Sequence, residues 1–278
     1  MAGAFHKSDI EILLSTMNRV TPDFLLPMFP FAHFSNFNIL IINQTVPGKE
    51  LASGYPGVRV INVFDRGLSK SRNMAVANAA KKIGLIADDD LVFIEGFDDK
   101  IANGFNLFPQ AGAIKFNAVS FEGVLFRKYP KVPTAVLSKL QRLNSTSWEI
   151  ALNIELVRQS GLKFNTVFGL GANFPLGEEP VFLNELYHAG YPVCHVPQVI
   201  VSHKTIKDSD NISLAENYRI RGAYLSQIFG KKFWLWLGIQ LAYNLKSGQV
   251  KPWQVMACIK NALKGKKQLT HLQHENHT

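Results

Sequence analysis

Residues 83–92 read IGLIADDDLV, a short apolar run that empties without a linker into three consecutive carboxylates, Asp88, Asp89 and Asp90. A run this short and this continuously apolar suits a strand covered on both faces of a largely parallel sheet. Its carboxylates then fall at the strand's C-terminal end, where ligands of open α/β sheets lie. Like charges on adjacent residues repel, and beside a buried strand they are poorly solvated. A positive partner is therefore expected. A divalent cation is the natural candidate, because Mg²⁺ and Mn²⁺ take oxygen ligands and are commonly held by one or two carboxylates plus substrate phosphates. The plainer alternative is a solvated acidic turn that closes a strand.

The same apolar pattern recurs upstream at 11–16, 37–43 and 58–63. Between the third of these runs and the acidic one, Ala75, Val76, Ala79 and Ala80 recur at helical spacing within 69–82. This predicts a βαβ unit with a right-handed crossover. Pro22, Pro27 and Pro30 break any helix between the first two strands. The strand ends carry Thr16, Asn18 and Arg19, then Asn43 and Gln44, then the acidic triplet, so polar side chains converge on one sheet edge.

Downstream the pattern is mixed. Expected are a helix over 96–108, strands over 113–116, 124–127 and 148–152, and a helix over 154–160 that Gly161 terminates. A glycine-rich segment, 168–177, leads into Glu178-Glu179-Pro180 and a helix ending near Gly190. It lacks the lysine ending of a phosphate loop, and it suits a backbone that passes close to a ligand or a flexible loop. Strands over 193–196 and 199–202 finish at His203, and three helices follow, over 212–229, 232–245 and 253–263. The shift near 205 divides the chain into a domain, 1–205, and a helical extension, 206–278.

Apolar residues make up 47% and charged residues 18% of the 278, which is globular rather than disordered. Cys194 and Cys258 are too far apart and too few for a disulfide framework or a zinc site. The N-terminus, MAGAFHKSDI, lacks the apolar core of a signal peptide, so a cytoplasmic location is expected. The apolar run 233–245 falls short of the roughly 20 residues that span a bilayer. Net charge is +9, and from Lys231 onward eight lysines accompany a single acid, Glu275. With Trp234, Trp236 and Trp253 interleaved, this tail suits an interfacial helix better than a nucleic-acid arm. Helices docked on the domain with their lysines in solvent fit as well.

Taken together, LLSTMNR, RGLSKSRNMAVANAA, LIADDDLV, GLGANFPLGEEPVFLNEL and VSHK, spread over 11–204, resemble glycosyltransferases of the GT-A fold, in particular family 2-like bacterial enzymes. That resemblance implies a Rossmann-like α/β domain and an inverting, metal-dependent transfer of a hexose from a nucleotide diphosphate sugar, UDP-linked in many relatives. The acceptor would be a hydroxyl of a glycan, lipid-linked in capsule or O-antigen assembly, at the inner face of the cell membrane.

The resemblance also assigns residues. Asp88-x-Asp90 becomes the DxD motif, with Asp90 and His203 on Mn²⁺ or Mg²⁺, and with Asp88 and Asp89 at the ribose or reaching the metal through water. Thr16, Asn18 and Arg19 would line the base and ribose pocket, and Arg72 and Asn73 would reach the nucleotide. Asn43 and Gln44 stand where relatives often carry a uracil-reading aspartate. Glu179 inherits the general base, one methylene longer than the aspartate usual there, and Glu178 orients base or acceptor. Acids in a first helical turn also favour the helix dipole without any catalysis.

Three rival readings stay open at this level. Retaining GT-A enzymes also carry DxD. Asp88-Asp89-Asp90-Leu91-Val92 fits the D-x-D-x-V of haloacid dehalogenase phosphatases, although that motif normally follows a first strand. A non-enzymatic, basic peripheral-membrane module would explain the tail and leave the carboxylates without a task.

Overall fold

Four strands run parallel at one half of the sheet: β1 (Ile10–Met17), β2 (Ile39–Gln44), β3 (Val58–Val63) and β4 (Ile83–Asp88), in the order β3-β2-β1-β4. The computed structural model describes residues 4–205 and 212–275. Strands β1, β2 and β4 are buried on both faces, which is why their sequences are largely continuous in apolar residues, whereas β3 at the sheet edge is only half-buried, with Arg59 exposed. Ile12, Leu14, Ile41 and Leu85 face one core layer with Phe29, Phe34, Phe93 and Phe97. Leu13, Leu40, Ile42 and Ile86 face the other, against Ala75, Val76, Ile154 and Phe182.

The crossover from β1 to β2 is broken as its prolines require, into 3-10 turns at Pro22–Met28 and Phe34–Asn36. Helix α1 (Leu68–Asn78) stops short of the expected 82. Its last carbonyls are taken by arginines instead of further helix: Arg158 donates to Val76, Ala77 and Ala79, and Arg59 to Asn78.

Beyond β4 the sheet continues β7-β6-β8-β5, with β5 at Leu91–Phe93, β6 at Ala113–Ser120, β7 at Ile150–Asn153 and β8 at Val193–His203. Four of the seven pairings are parallel, and the antiparallel ones all lie past β4. Several boundaries differ from expectation. Residues 124–127 form no strand, and only Leu125 bridges Val119. The strand expected to begin at 148 begins at Ile150, because Ser147–Glu149 form a 3-10 turn. The two strands expected around 193–202 are one, β8, whose register against β6 slips between Lys115 and Asn117 opposite Pro197. Proline donates no ladder bond, so the irregularity falls where the pairing is already interrupted.

Helices α2 (Phe97–Leu107), α3 (Lys139–Leu143), α4 (Ile154–Ser160) and α5 (Glu178–His188) flank the sheet. Gly161 closes α4 with φ +67°, as read from the sequence. The last helices are α6 (Leu214–Phe229), α7 (Phe233–Lys246) and α8 (Val255–Glu275). Helix α8 runs well past the expected 263. Residues 206–211, where the extension was expected to begin, lie outside the described residues. Helices α6 and α8 meet backbone to backbone, with Gly222 on Ala262 and Gly265 on Arg219. Ile220, Ala223 and Leu269 then seat the pair on Phe168, Phe174 and Val181, so the extension packs on the glycine-rich segment and α5.

Candidate active site

Sheet register sets the site. Ser15 on β1 pairs with Asp88 on β4, and Thr16 with Asn43 on β2, so three polar strand ends share one edge. A cleft of about 520 Å³ opens there, lined among others by Thr16, Gln44, Asp88, Asp90, Trp148 and His203. Its far wall is the glycine-rich segment. The Leu68 amide donates to Leu170 and the Ser69 hydroxyl to Phe168, and Gly171 lies against Gly67. Gly169 and Gly171 both have φ in the left-handed region, which permits this close approach.

The three carboxylates of the turn diverge to separate partners. Asp88 accepts from the Ser147 hydroxyl at 2.8 Å and lies 3.6 Å from Arg72. Asp89 accepts from the Thr16 hydroxyl and from Arg19, at 2.9 Å (Nε) and 2.8 Å (Nη2). Asp90 sits 3.2 Å from His203 Nε2 and 3.3 Å from Lys204. The protein's own cations thus meet part of the charge for which the sequence alone suggested a metal ion.

Asp90 and His203 are the pair suited to a metal. The His203 Nδ1 atom lies 2.6 Å from the Lys204 carbonyl, which only accepts, so Nδ1 carries a proton and Nε2 faces Asp90. Asp90 is held below the usual carboxylate range by the bond to His203, against the opposing effect of burial. Burial alone would lower the imidazole of His203, and Asp90 outweighs it and raises it. One carboxylate and one imidazole are a donor set that Mn²⁺ accepts, with phosphate and water completing the shell. Among the described residues no group of three or more His, Cys, Asp or Glu converges on a common point, so the protein would supply only such a pair.

Behind the acidic turn lies Arg72, 1% exposed, which ties it to the start of α5. Its Nη1 lies 3.0 Å from Glu178 and 3.0 Å from Glu179, and its Nη2 points to Asp88. Burial alone would lower the guanidinium's pKa, and Glu179, Asp88 and Glu178 together outweigh it and raise it. One cation faces three carboxylates. The most deeply buried of them, Glu178, is consequently pushed up to about 8, first by desolvation and then by the charge of Glu179. Its Oε2 has no hydrogen-bond partner.

This arrangement fixes a pH dependence. The folded protein holds the Glu178 proton up to about pH 8, while the unfolded chain releases it near 4.5. Stability from that proton is therefore complete below the unfolded value and is lost as pH rises to about 8, on the order of a few kcal/mol. Glu178→Gln, which keeps the shape and does not titrate, should be more stable than wild type. The gap should open above about pH 4.5 and level off beyond pH 8. Urea unfolding of both proteins from pH 5 to 9 measures it, and parallel profiles would refute the assignment. Lys115, pushed down to about 8, and His195, pushed down to about 4, both chiefly by burial, titrate in both proteins and cancel.

Several residues expected at the nucleotide have other work. Asn73 is bonded in both directions to the Phe164 backbone, at 2.8 and 2.7 Å, away from the cleft lining. Asn43 is fully buried and clamps the Arg19 backbone, accepting from its amide and donating to its carbonyl, with a further bond to Asn62. Asn18 adopts φ +56°, a conformation asparagine tolerates, and its amide donates to Gln44. Arg72 meets carboxylates rather than the open cleft. Gln44 does line the cleft, and its side-chain oxygen accepts from the Gly67 amide at 2.7 Å.

Sequence reading missed the turn Ser147–Glu149, each residue of which holds a different part of the site. Ser147 bonds Asp88, and Trp148 stacks on His203 with ring centroids 4.4 Å apart. Glu149, wholly buried, anchors the turn to Lys115 (3.4 Å), Arg127 (3.2 Å) and the Tyr129 hydroxyl (2.6 Å). The run Ser-Trp-Glu is no motif, and its one signal was an acid inside an otherwise apolar strand candidate.

No protein-family model and no curated protein matches this sequence. Solved structures do. The S. aureus TarS fragment 1–349 in complex with UDP-GlcNAc aligns with TM-score 0.61 at 12% identity, over 91% of this chain and 79% of that one. The same fragment in complex with UDP gives 0.57 at 10% identity, over 96% and 91%. Without a ligand named, it gives 0.55 at 12% identity over 80% of this chain, which there spans 65% of the TarS fragment. At such identities the likeness concerns architecture, and the architecture, a curled eight-stranded sheet flanked by helices with a helical C-terminal region, is the GT-A fold.

Proposed function

We propose that this chain is a family 2-like glycosyltransferase that moves a hexose from a UDP-linked sugar to a hydroxyl of a glycan acceptor, with inversion and with Mn²⁺ or Mg²⁺ bound. The observation that carries the reading is the acidic turn Asp88-Asp89-Asp90 at the C-terminal edge of four parallel strands, opening on a cleft of nucleotide-sugar size and joined through Arg72 to the paired carboxylates of α5. The TarS complexes hold UDP and UDP-GlcNAc, which favours a uridine nucleotide here.

Asp90 and His203 would hold the metal. When bound, it offsets the negative charge that builds on the departing diphosphate. Thr16 and Gln44 line the donor side of the cleft, and the Trp148 ring fixes the plane of the His203 imidazole. Glu179, the less buried of the α5 pair, takes the proton of the attacking hydroxyl. Inversion is favoured over retention because this carboxylate stands at the start of α5 and is linked through Arg72 to Asp88 of the acidic turn, which supports a base near the transfer. A phosphatase reading asks for its aspartates after the first strand, and here β1, β2 and β3 all precede them. The lysine-rich helical tail is compatible with work on a lipid-linked surface glycan at the cytoplasmic membrane face, without nucleic acid.

The test is donor binding and metal dependence. UDP-GlcNAc with Mn²⁺ at a hundred times its dissociation constant should stabilise the protein by about 2.7 kcal/mol, a rise in melting temperature of roughly 5 °C. EDTA should abolish sugar transfer, and Mn²⁺ or Mg²⁺ should restore it. Full transfer activity in Asp90→Ala would sink the reading.

A further inference from the structure

Helix α7 is apolar on its packed side and on its outer side, with Gln240 and Asn244 along one flank, yet it is packed on one side only. Phe233, Leu237 and Leu241 are buried against α6 and α8. The opposite side exposes two adjacent rows, Trp234-Gly238-Ala242 and Leu235-Ile239-Tyr243, with no charge before Lys246. Trp234 is 56% exposed, Leu235 61% and Tyr243 65%. A surface helix of a water-soluble domain carries polar residues on that side. Just past the next turn, Trp253 and Met256 are about three-quarters exposed, at 74% and 75%.

Charge narrows what covers this face. From 217 to 274 the sequence has no Asp or Glu and ten Lys or Arg. Lys231 and Lys232 stand at one end of α7, Lys246 at the other, and Lys251 lies over the Trp253 ring at 5.2 Å. A second copy of the chain, joined by a two-fold axis, would set these lysines against one another with no carboxylate in the segment to pair them. An anionic lipid surface supplies both what the lysines lack and an apolar depth for Trp, Leu and Ile, with Trp and Tyr at the headgroup level. Fourteen residues of helix span about 21 Å, shorter than a bilayer's hydrocarbon core of about 30 Å. No helix among the described residues is long and apolar enough to cross a membrane. The helix would therefore lie in the interface plane.

We infer that the outer face of α7, with Trp253 and Met256, seats the protein on an anionic bilayer. This sharpens the membrane placement proposed above and rests on it. Vesicle binding needs neither donor nor acceptor, so its failure would leave the sugar-transfer reading standing, and loss of transfer would leave this one standing.

Full-length protein without nucleotide is sedimented with phosphatidylcholine vesicles that contain or lack phosphatidylglycerol. Partitioning should be at least about tenfold stronger with the anionic lipid and should weaken as salt is raised. Leu235→Ser with Tyr243→Ser should lower binding about tenfold without changing the melting temperature, since both side chains already face solvent. Lys231→Glu with Lys232→Glu should erase the preference for anionic lipid. Equal binding to both vesicles, no binding, or wild-type binding by the serine variant would each overturn the inference. A dimer that the serine variant dissociates, in protein that ignores vesicles, would assign the face to a second copy instead.

Discussion

Glu179→Gln should lower kcat by about a thousandfold while the donor KM changes only a few-fold, whereas Glu178→Gln should stay within about tenfold of wild type. The two residues are adjacent, both bond Arg72 at 3.0 Å, and both belong to the first turn of α5, so sequence position alone does not separate them. Burial does. The Glu178 side chain is 4% exposed against 13% for Glu179, and desolvation with the neighbouring charge holds a proton on Glu178 through neutral pH. A carboxyl that already carries its proton accepts no second one, which leaves Glu179 to take the acceptor's. Arg72 fixes one Glu179 oxygen and so sets the direction of the other. Steady-state kinetics with saturating metal decide the matter. A Glu179→Gln enzyme with a tenth or more of wild-type kcat would remove the base assignment, and equal losses in both variants would make the pair a purely structural cap on the helix dipole.

The parallel half of the sheet was legible because β1, β2 and β4 are buried on both faces and their sequences are therefore nearly continuously apolar, while half-buried β3 shows itself by its Val and Ile content; β1 to β4 fall within a residue or two of where the pattern puts them. The antiparallel half was less so. There the bulge at Pro197 divides one strand into two apolar runs, and a 3-10 turn cuts the front from another. The three-residue β5 has no periodicity to read. At the site, residue types were visible and their partners were not. Asn43 and Asn73 read as ligand-binding amides, but a buried amide must first satisfy its own donors and acceptor, and nearby backbone does that for both. Arg72 was placed at the nucleotide by the family resemblance, and no counter-charge near it in sequence spoke against that. Its carboxylates lie sixteen and more than a hundred positions away, at Asp88, Glu178 and Glu179.

Arg72→Met should destabilise the protein by about 3–5 kcal/mol, the cost of leaving buried carboxylates without their cation. The substitution keeps much of the side-chain volume and removes the guanidinium that faces Asp88, Glu178 and Glu179 together. Proton uptake can relieve part of the strain, so the loss should be smaller at pH 5 than at pH 8, and it should be partly reversed when Glu179→Gln is added, whereas Glu178, which holds its proton through neutral pH, contributes little to it. Arg72→Lys should fall between, because a single ammonium keeps the charge but not the fork that reaches α5 with one nitrogen and β4 with another. The same experiment separates two roles for this residue. An arginine that reached the nucleotide would, on removal, raise the donor KM and spare the free protein's stability. One that braces the acidic turn against α5 lowers the melting temperature of the free protein first, and lowers kcat because Asp88 and Glu179 lose their common support together. Urea unfolding of the single variants and of Arg72→Met/Glu179→Gln forms a cycle whose coupling term should exceed about 1 kcal/mol in magnitude, as neighbours in one ion network give. Additive losses in that cycle, with an unshifted melting temperature for Arg72→Met, would return Arg72 to the nucleotide.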